Sequence, residues 1–546
     1  MSQQKKYILY SLVIYAVFSA GLIFLGFFKI GLLADDYLNF FDAQHSTFYG
    51  KITGSLPFTN AFHIRPVYYL SLVKSLELHD WFGFAYDNFT LYRFQNLMLF
   101  LFIAFVSGLI VLHTTKRMSV SLIASVTILL FPNNINNICW LAARVDLICC
   151  FFYVMSIYFY LLFYDYRKRY FLVFSILSFL LSLLTKELAI TLPFTVLLIS
   201  YFLYGKEGLR KSLSIFIPML LIFIMYLLWR VFILGNNVID IATLYQAVPL
   251  SNAPGVFAKG FISLTVPLDY LELNYLLRND NKIILLYLFA LYGAGIYLIW
   301  VMLKTNLSRY LGEIFALMFL LLFPYAIVGY IRPQMILLPF VILNIHLLWI
   351  YSMQRKISLK LNKKVLKVFY LAALLFWVYW SGAAVHDWLT SFEKAKTNVD
   401  NLLNTEFESG RKVILIGNPG RFKQTLMFDN MTGAYNFWKE KNFVIKDTIN
   451  DVIQTAAVDE SSIGAKLECN ILGPGEFEIK TTAPKQFFYI EGYDNERIKM
   501  GFQNGDISVE FLEFNNLNKP IRMRLKVLSN NTTCYLAENL GFRKIY

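Results

Sequence analysis

The chain has 546 residues, of which 57% are hydrophobic, 17% aromatic and only 16% charged, and it holds many apolar runs of bilayer-spanning length. Its formal net charge of +14 would suggest a nucleic-acid partner in a soluble protein. Here the basic residues fall in short loops between apolar runs, where membrane topology accounts for them, so nucleic acid is excluded and a polytopic α-helical membrane protein is expected.

In chain order, the apolar runs predict eleven spans, near residues 7–30, 91–113, 118–131, 143–164, 170–184, 187–204, 212–234, 282–303, 311–330, 333–351 and 366–385. The first follows Lys5 and Lys6, has no small-residue cleavage site and leads into further spans, so it is expected to be retained. The runs at 118–131 and 170–184 are short and must borrow length from their flanks or sit inside the bundle. Alternate gaps collect the cations: Lys116 and Arg117, then Arg167 to Arg169, then Lys206, Arg210 and Lys211, then Lys304 and Arg309, then the run from Arg355 to Lys367. All fall on the side of Lys5 and Lys6, which predicts a cytoplasmic N-terminus and a C-terminal tail outside. Compact loops and the lack of a eukaryotic-style retention signal point to a bacterial inner membrane.

Directly after the first span stands GLLADDYLNFF, residues 31–41, whose adjacent carboxylates Asp35 and Asp36 are expected at a membrane surface. Two outward segments are longer than ordinary connectors, and long irregular loops tend to be functional. Residues 65–80, RPVYYLSLVKSLELHD, predict an amphipathic helix lying in the interface, and 235–281 predicts an interfacial or re-entrant segment. Neither is stable unsupported in lipid, so the two are expected to roof an outer cavity.

From about residue 388 the composition changes. A helical start, SFEKAKTNVDNLLNTEF, leads into the short β-rich runs KVILIG, FVIK, EFEIKTT, QFFYIEGY, DISVEFLEF and IRMRLKVL, with turn formers Asn418-Pro419-Gly420 and Gly473-Pro474-Gly475 beside them. The expected division is a transmembrane domain over 1–387 and a soluble extracytoplasmic domain over 388–546, α/β or mostly β. Cys469 and Cys534 in the latter read either as a bridge or as two free thiols.

Polar groups at membrane depth are costly and are functional candidates by default. On the outer side these are Asp35, Asp36, His63, Arg65, Arg93, Arg144, Asp146, Lys186, Glu187 and Arg332. Singly, each reads as an interfacial anchor or a local ion pair, Arg144 with Asp146 and Lys186 with Glu187. Jointly, carboxylates and cations around an outward cavity suit a substrate with a leaving phosphate. A carboxylate takes a proton from the acceptor while Arg or Lys neutralises the departing group.

The order of these elements resembles the GT-C superfamily of integral membrane glycosyltransferases, over about residues 7 to 205. ADDY and then HIRP resemble its first-loop pattern, and YRFQNLMLF resembles the start of the second span. FPNNINNICWLAARVDL and LLTKELAITLP resemble the third to sixth spans of the O-mannosyltransferase-like branch. The resemblance implies a polyprenyl-phosphate-linked sugar donor and an extracytoplasmic lipid, glycan or protein acceptor. Asp35 or Asp36 would be the general base, with Asp146 a second acidic group near the site. Arg65, Lys186, Arg332 and Arg144 would serve the donor phosphate, and His63, Glu187 and Tyr37 would line the substrate cavity. The motif Arg332-Pro333-Gln334 departs from relatives that carry an aromatic residue after the arginine.

No Walker-type phosphate loop or dinucleotide fingerprint occurs. Asp35 and Asp36 leave a divalent cation open, without a His/Cys cluster of ligand spacing. The rival expectations are a ligase or polymerase using a diphosphate-linked donor, and a transporter or flippase of a lipid-linked saccharide, for which no internal repeat is found.

Overall fold

The computed structural model describes residues 3–53, 56, 64–234, 253–266, 308–329, 331–354 and 363–405, with isolated positions between 273 and 293. In the C-terminal part it describes 412–422, 425–426, 431–441, 449–457, 467–481, 486–490, 501–503, 507–514, 520–529, 532–538 and 541–545. The chain divides into two compact units. One comprises Met1–Phe28, Ser46–Glu77 and Thr90–Val385; the other comprises Lys29–His45, Leu78–Phe89 and His386–Tyr546.

The helices, in chain order, begin with α1 (Gln3–Phe24), α2 (Asp36–His45), α3 (Phe48–Thr53), α4 (Pro66–Trp81) and α5 (Thr90–Thr115). There follow α6 (Met118–Leu130), α7 (Pro132–Cys139), α8 (Arg144–Tyr166), α9 (Arg169–Leu183) and α10 (Leu192–Leu234). The described set closes with α11 (Ala253–Thr265), α12 (Ser308–Val328), α13 (Leu337–Gln354), α14 (Lys363–Leu403) and α15 (Met431–Glu440). Among the described residues five helices are long and apolar enough to cross a membrane, or six if α6 and α7, bent by 61°, count as one broken span. Helices α9 and α13 are apolar but shorter. The expected run 187–204 begins in a 3₁₀ turn, Glu187–Thr191, and continues in α10, which also holds the run 212–234 and is interrupted at Gly205 by a non-helical φ of 66°. The run at 282–303 lies mostly outside the described residues.

Apolar side chains cover these helices on the outside as well as the inside. On α1, Leu12 is 61% exposed, Val17 68% and Phe24 91%. Such a surface is unfavourable in water and is what acyl chains cover. The inner seams are polar and close. Tyr7 donates its hydroxyl to the Phe105 carbonyl at 2.9 Å and meets the Ser125 hydroxyl at 3.0 Å. Gly108 permits this, since a Cβ there would lie 2.0 Å from Tyr7 Oη.

One expected connection is something else. Residues 132–142 read as an outer gap between spans, yet PNNINNIC forms α7, with every one of its residues buried. Two of its four asparagine amides close on backbone acceptors: Asn133 donates to the carbonyls of Ser263 and Val266 at 2.8 and 3.0 Å, and Asn134 donates to Ile128 at 3.0 Å. Segment 65–80 is helical, as its periodicity predicts, with Tyr68, Leu72, Ser75 and His79 buried at three- and four-residue intervals on one face of α4.

The C-terminal unit carries the sheets. The strands are β1 (Lys412–Phe422), β2 (Thr425–Leu426), β3 (Ile449–Ala457), β4 (Leu467–Gly473), β5 (Glu476–Thr481), β6 (Gln486–Ile490), β7 (Gly501–Gln503), β8 (Ile507–Phe514), β9 (Pro520–Val527), β10 (Thr532–Glu538) and β11 (Gly541–Lys544). One sheet runs β11-β10-β1-β3-β6 with β2 on β1, and there β1 is parallel to both β10 and β3. The other runs β4-β5-β9-β8-β7, antiparallel throughout. The alternation of EFEIKT and ISVEFLEF sends Phe477, Ile479, Ile507, Val509 and Phe511 inward, where they join Met523, Leu525, Cys534 and Leu536 in one core. The opposite face holds Arg522 against Glu478 at 2.5 Å and Arg524 against Glu510 at 3.2 Å. Both Cys469 and Cys534 are free thiols. The unit is therefore a mixed α/β body that begins close to the expected boundary and takes in two further segments, Lys29–His45 and Leu78–Phe89, from the first long loop.

Candidate functional site

In the helical unit, the local ion pairs expected from sequence neighbours do not form; the partners are exchanged. Lys186 has extended backbone, φ −154° and ψ 140°, so its side chain and that of Glu187 leave on opposite sides. The Lys186 ammonium meets Asp146 Oδ1 at 2.5 Å. Glu187, opening the 3₁₀ turn Glu187–Thr191, receives Arg65 at 3.3 Å and Arg230 at 2.8 Å. Arg230 also donates to the Tyr226 hydroxyl at 3.1 Å, one helical turn back on α10. Two guanidinium groups thus converge on one carboxylate, beside a lysine–aspartate pair on the neighbouring residue. Arg65 and Arg230 are each 18% exposed and Glu187 29%, whereas Lys186 and Asp146 are 11% and 7%. The triad is within reach of a solute and the pair is nearly closed off.

Arg144 and Asp146 stand two apart on α8 and face away from each other, which corrects the expected pairing. Arg144 turns inward instead. Its Nε donates to Asn96 Oδ1 at 2.7 Å, Nη1 to the Ser75 hydroxyl at 2.5 Å and Nη2 to the Tyr92 carbonyl at 3.1 Å. Ser75 passes its own proton on to Gln95 at 2.6 Å. At 2% exposure Arg144 ties α4, α5 and α8 together, a different duty from the expected phosphate contact. Arg93, fully buried, donates to the Cys139 carbonyl at the end of α7. Arg332 is exposed, in extended backbone before the 3₁₀ turn Pro333–Ile336. His63 lies outside the described residues.

Sequence reasoning missed Arg230 and Tyr226. The signal was present: Arg230 is a lone cation near the end of the apolar run 212–234, as costly there as Arg144 in its own run. Ser75, Asn96 and Tyr92 carried no such mark, since neutral polar residues are common in helices.

Asp35, Asp36 and Tyr37 belong to the C-terminal unit. Asp36 opens α2 and is fully buried; its Oδ2 accepts the Leu33 N–H at 2.9 Å while its own N–H donates to the Leu33 carbonyl at 3.0 Å. The two bonds close a four-residue turn from Leu33 to Asp36, with one carboxylate oxygen of Asp36 bound to the backbone. Asp35 is the half-buried member of the pair. Ala34, just before it, has φ +51°, the left-handed region in which a non-glycine residue is strained. Tyr37 is 3% exposed; burial raises its phenol well above the ordinary value, and the Asp36 charge adds to this against the Trp438 N–H. The hydroxyl therefore stays protonated. Asp42, also fully buried on α2, is a further carboxylate of this segment that sequence reasoning did not single out.

Among the described residues no group of three or more His, Cys, Asp or Glu side chains converges as metal ligands. Set beside known proteins, the chain matches no family model and no curated relative.

Proposed function

We propose that the chain is a membrane glycosyltransferase of GT-C type that moves a sugar from a polyprenyl-phosphate donor to an extracytoplasmic lipid, glycan or protein acceptor. The observation that carries this reading is the convergence of Arg65, Arg230 and Glu187, with Lys186 and Asp146 beside them, in a unit built of bilayer-length apolar helices. A lipid-linked phosphate keeps its chain among such helices and presents its head to such cations. The motifs ADDY, HIRP and LLTKELAITLP support the same chemistry by resemblance. With that family come eleven spans, an extracytoplasmic tail and a bacterial inner membrane, which belong to the proposal.

In the proposed reaction the acceptor's oxygen or nitrogen attacks the anomeric carbon. The bond from that carbon to the phosphate oxygen breaks, and the phosphate leaves with the electron pair. Arg65, Arg230 and Lys186 neutralise the charge that develops there, Arg fork geometry suiting phosphate oxygens. Glu187 and Asp146 hold these cations in place, and Arg144 keeps α8 and α4 in register. By the resemblance the acidic pair supplies the base that takes the acceptor's proton, and Asp35, half-buried where Asp36 is fully buried, is its more accessible member.

Transfer from radiolabelled polyprenyl-phosphate sugars into membrane extracts tests this. Asp35→Asn is expected to lower turnover by about 100-fold or more, the worth of a general base. Arg230→Met is expected to raise the donor KM. If Asp35→Asn equals wild type, the base is misassigned. If wild type transfers from no donor, flippase activity is the reading that replaces this one.

A further inference from the structure

Within the C-terminal unit, Trp438 on α15 fastens the acidic loop. Its indole N–H donates to Tyr37 Oη at 3.0 Å, and that hydroxyl donates to the Leu32 carbonyl at 3.2 Å. One residue further on, the Leu33 N–H donates to Asp36 Oδ2 at 2.9 Å. Hydrogen bonds thus run from a helix of the β-rich body to the acidic pair, and every member is buried, Trp438 at 8% being the most exposed.

Aromatic packing surrounds the connection. The Phe437 ring lies 5.7 Å from Tyr37, and Phe89 lies 6.2 Å from Phe437 and 6.3 Å from Trp438. The Lys396 ammonium sits 4.4 Å from the Trp438 ring centroid, over a face that attracts cations. Phe392 presses on the loop's first residue so closely that a Cβ at Gly31 would fall 2.1 Å from the ring. Between these supports Ala34 holds its left-handed conformation. Such a residue persists only where its surroundings over-determine it. The loop's own bonds, Leu33 with Asp36 and Tyr37 with Leu32, are thus braced from outside its sequence, by packing from Phe392 and by the hydrogen bond from Trp438.

We propose that Trp438 is a positioning residue for the Asp35–Asp36 carboxylates, so that the C-terminal unit sets the geometry of proton transfer; the catalytic part of this rests on the glycosyltransferase reading.

Trp438→Phe keeps an aromatic ring but removes the N–H together with the pyrrole half of the indole, Tyr37→Phe removes only the hydroxyl that accepts it, and Lys439→Ala on the exposed side of α15 is the control. Hydrogen–deuterium exchange over residues 31–45 of the full-length protein in detergent reads positioning without any turnover. Exchange there is expected to be about fivefold to tenfold faster in Trp438→Phe and in Tyr37→Phe, the double variant being no worse than either. In the transfer assay kcat is expected to fall about tenfold per folded molecule with donor KM within about twofold. Unchanged exchange over 31–45 in Trp438→Phe overturns the proposal, as does an equal effect of Lys439→Ala. A lowered melting temperature with kcat per folded molecule intact also overturns it, because that is the mark of a merely structural residue. If wild type transfers no sugar, it is the functional reading that fails, and the exchange result still decides whether Trp438 positions the loop.

Discussion

Lys186 and Asp146, 11% and 7% exposed and 2.5 Å apart, are each other's main source of solvation. Removing one leaves the other charged and nearly dry, whereas removing both leaves neither problem. Lys186→Met and Asp146→Leu are each expected to cost about 3 kcal/mol of stability, and the double variant much less than their sum. Thermal unfolding in one detergent measures this; additive losses would show that the pair is not coupled. Sugar transfer should be lost in all three variants, which separates the pair's chemical duty from its structural one. The costly residues were legible in the sequence because a charge in an apolar run stands out. Their partners were not, because nearness in sequence does not fix nearness in space. An extended Lys186 and the i, i+2 spacing of Arg144 and Asp146 turn those neighbours apart, and contacts to residues 40 or more positions away replace them.

At the scale of elements, length and apolarity made the long helices readable, and strict alternation made β5 and β8 readable. Helix α7 was not, since four asparagines in eight residues resemble a solvated turn. What lets Asn133 and Asn134 be buried is the set of backbone acceptors supplied by α6 and by α11 with its following residue, which only the folded chain assembles. In the sheets, the core position of Cys534 on β10 carries a consequence. Burial raises its thiol from 9.0 to about 12, so the folded state resists ionisation that the unfolded chain permits. A group raised on folding contributes stability that is whole below pH 9.0 and is lost as pH climbs towards 12. At about pH 10.5 the loss is about 2 kcal/mol, and Cys534→Val should abolish that part of the alkaline decline. Denaturant unfolding of both proteins on either side of the transition checks it, and parallel pH profiles would refute the assignment.

For the whole molecule, composition changes near residue 388, but the membership of the C-terminal unit, whose last segment is His386–Tyr546, was not readable. Lys29–His45 and Leu78–Phe89 are far from that unit in sequence and have no compositional likeness to it; Tyr37, Tyr86 and Phe89 reveal their allegiance only by packing on Phe437 and Trp438. A tail that merely hung from the last helix would be dispensable to the first loop. Deleting residues 404–546 is therefore expected to make the segment around Asp35 cleavable by added protease in membranes while the long apolar helices stay protected. Equal resistance in the truncated and full-length proteins would contradict this. The bond between Tyr37 and Trp438 joins residues 401 positions apart. At ribosomal rates of about 5 to 20 residues per second, the acidic loop waits roughly 20 to 80 seconds for its support to be synthesised. The central strand β1 likewise cannot gain its neighbour β10 until Thr532–Glu538 are made. The order of manufacture thus withholds the finished acidic loop from any chain interrupted before Trp438.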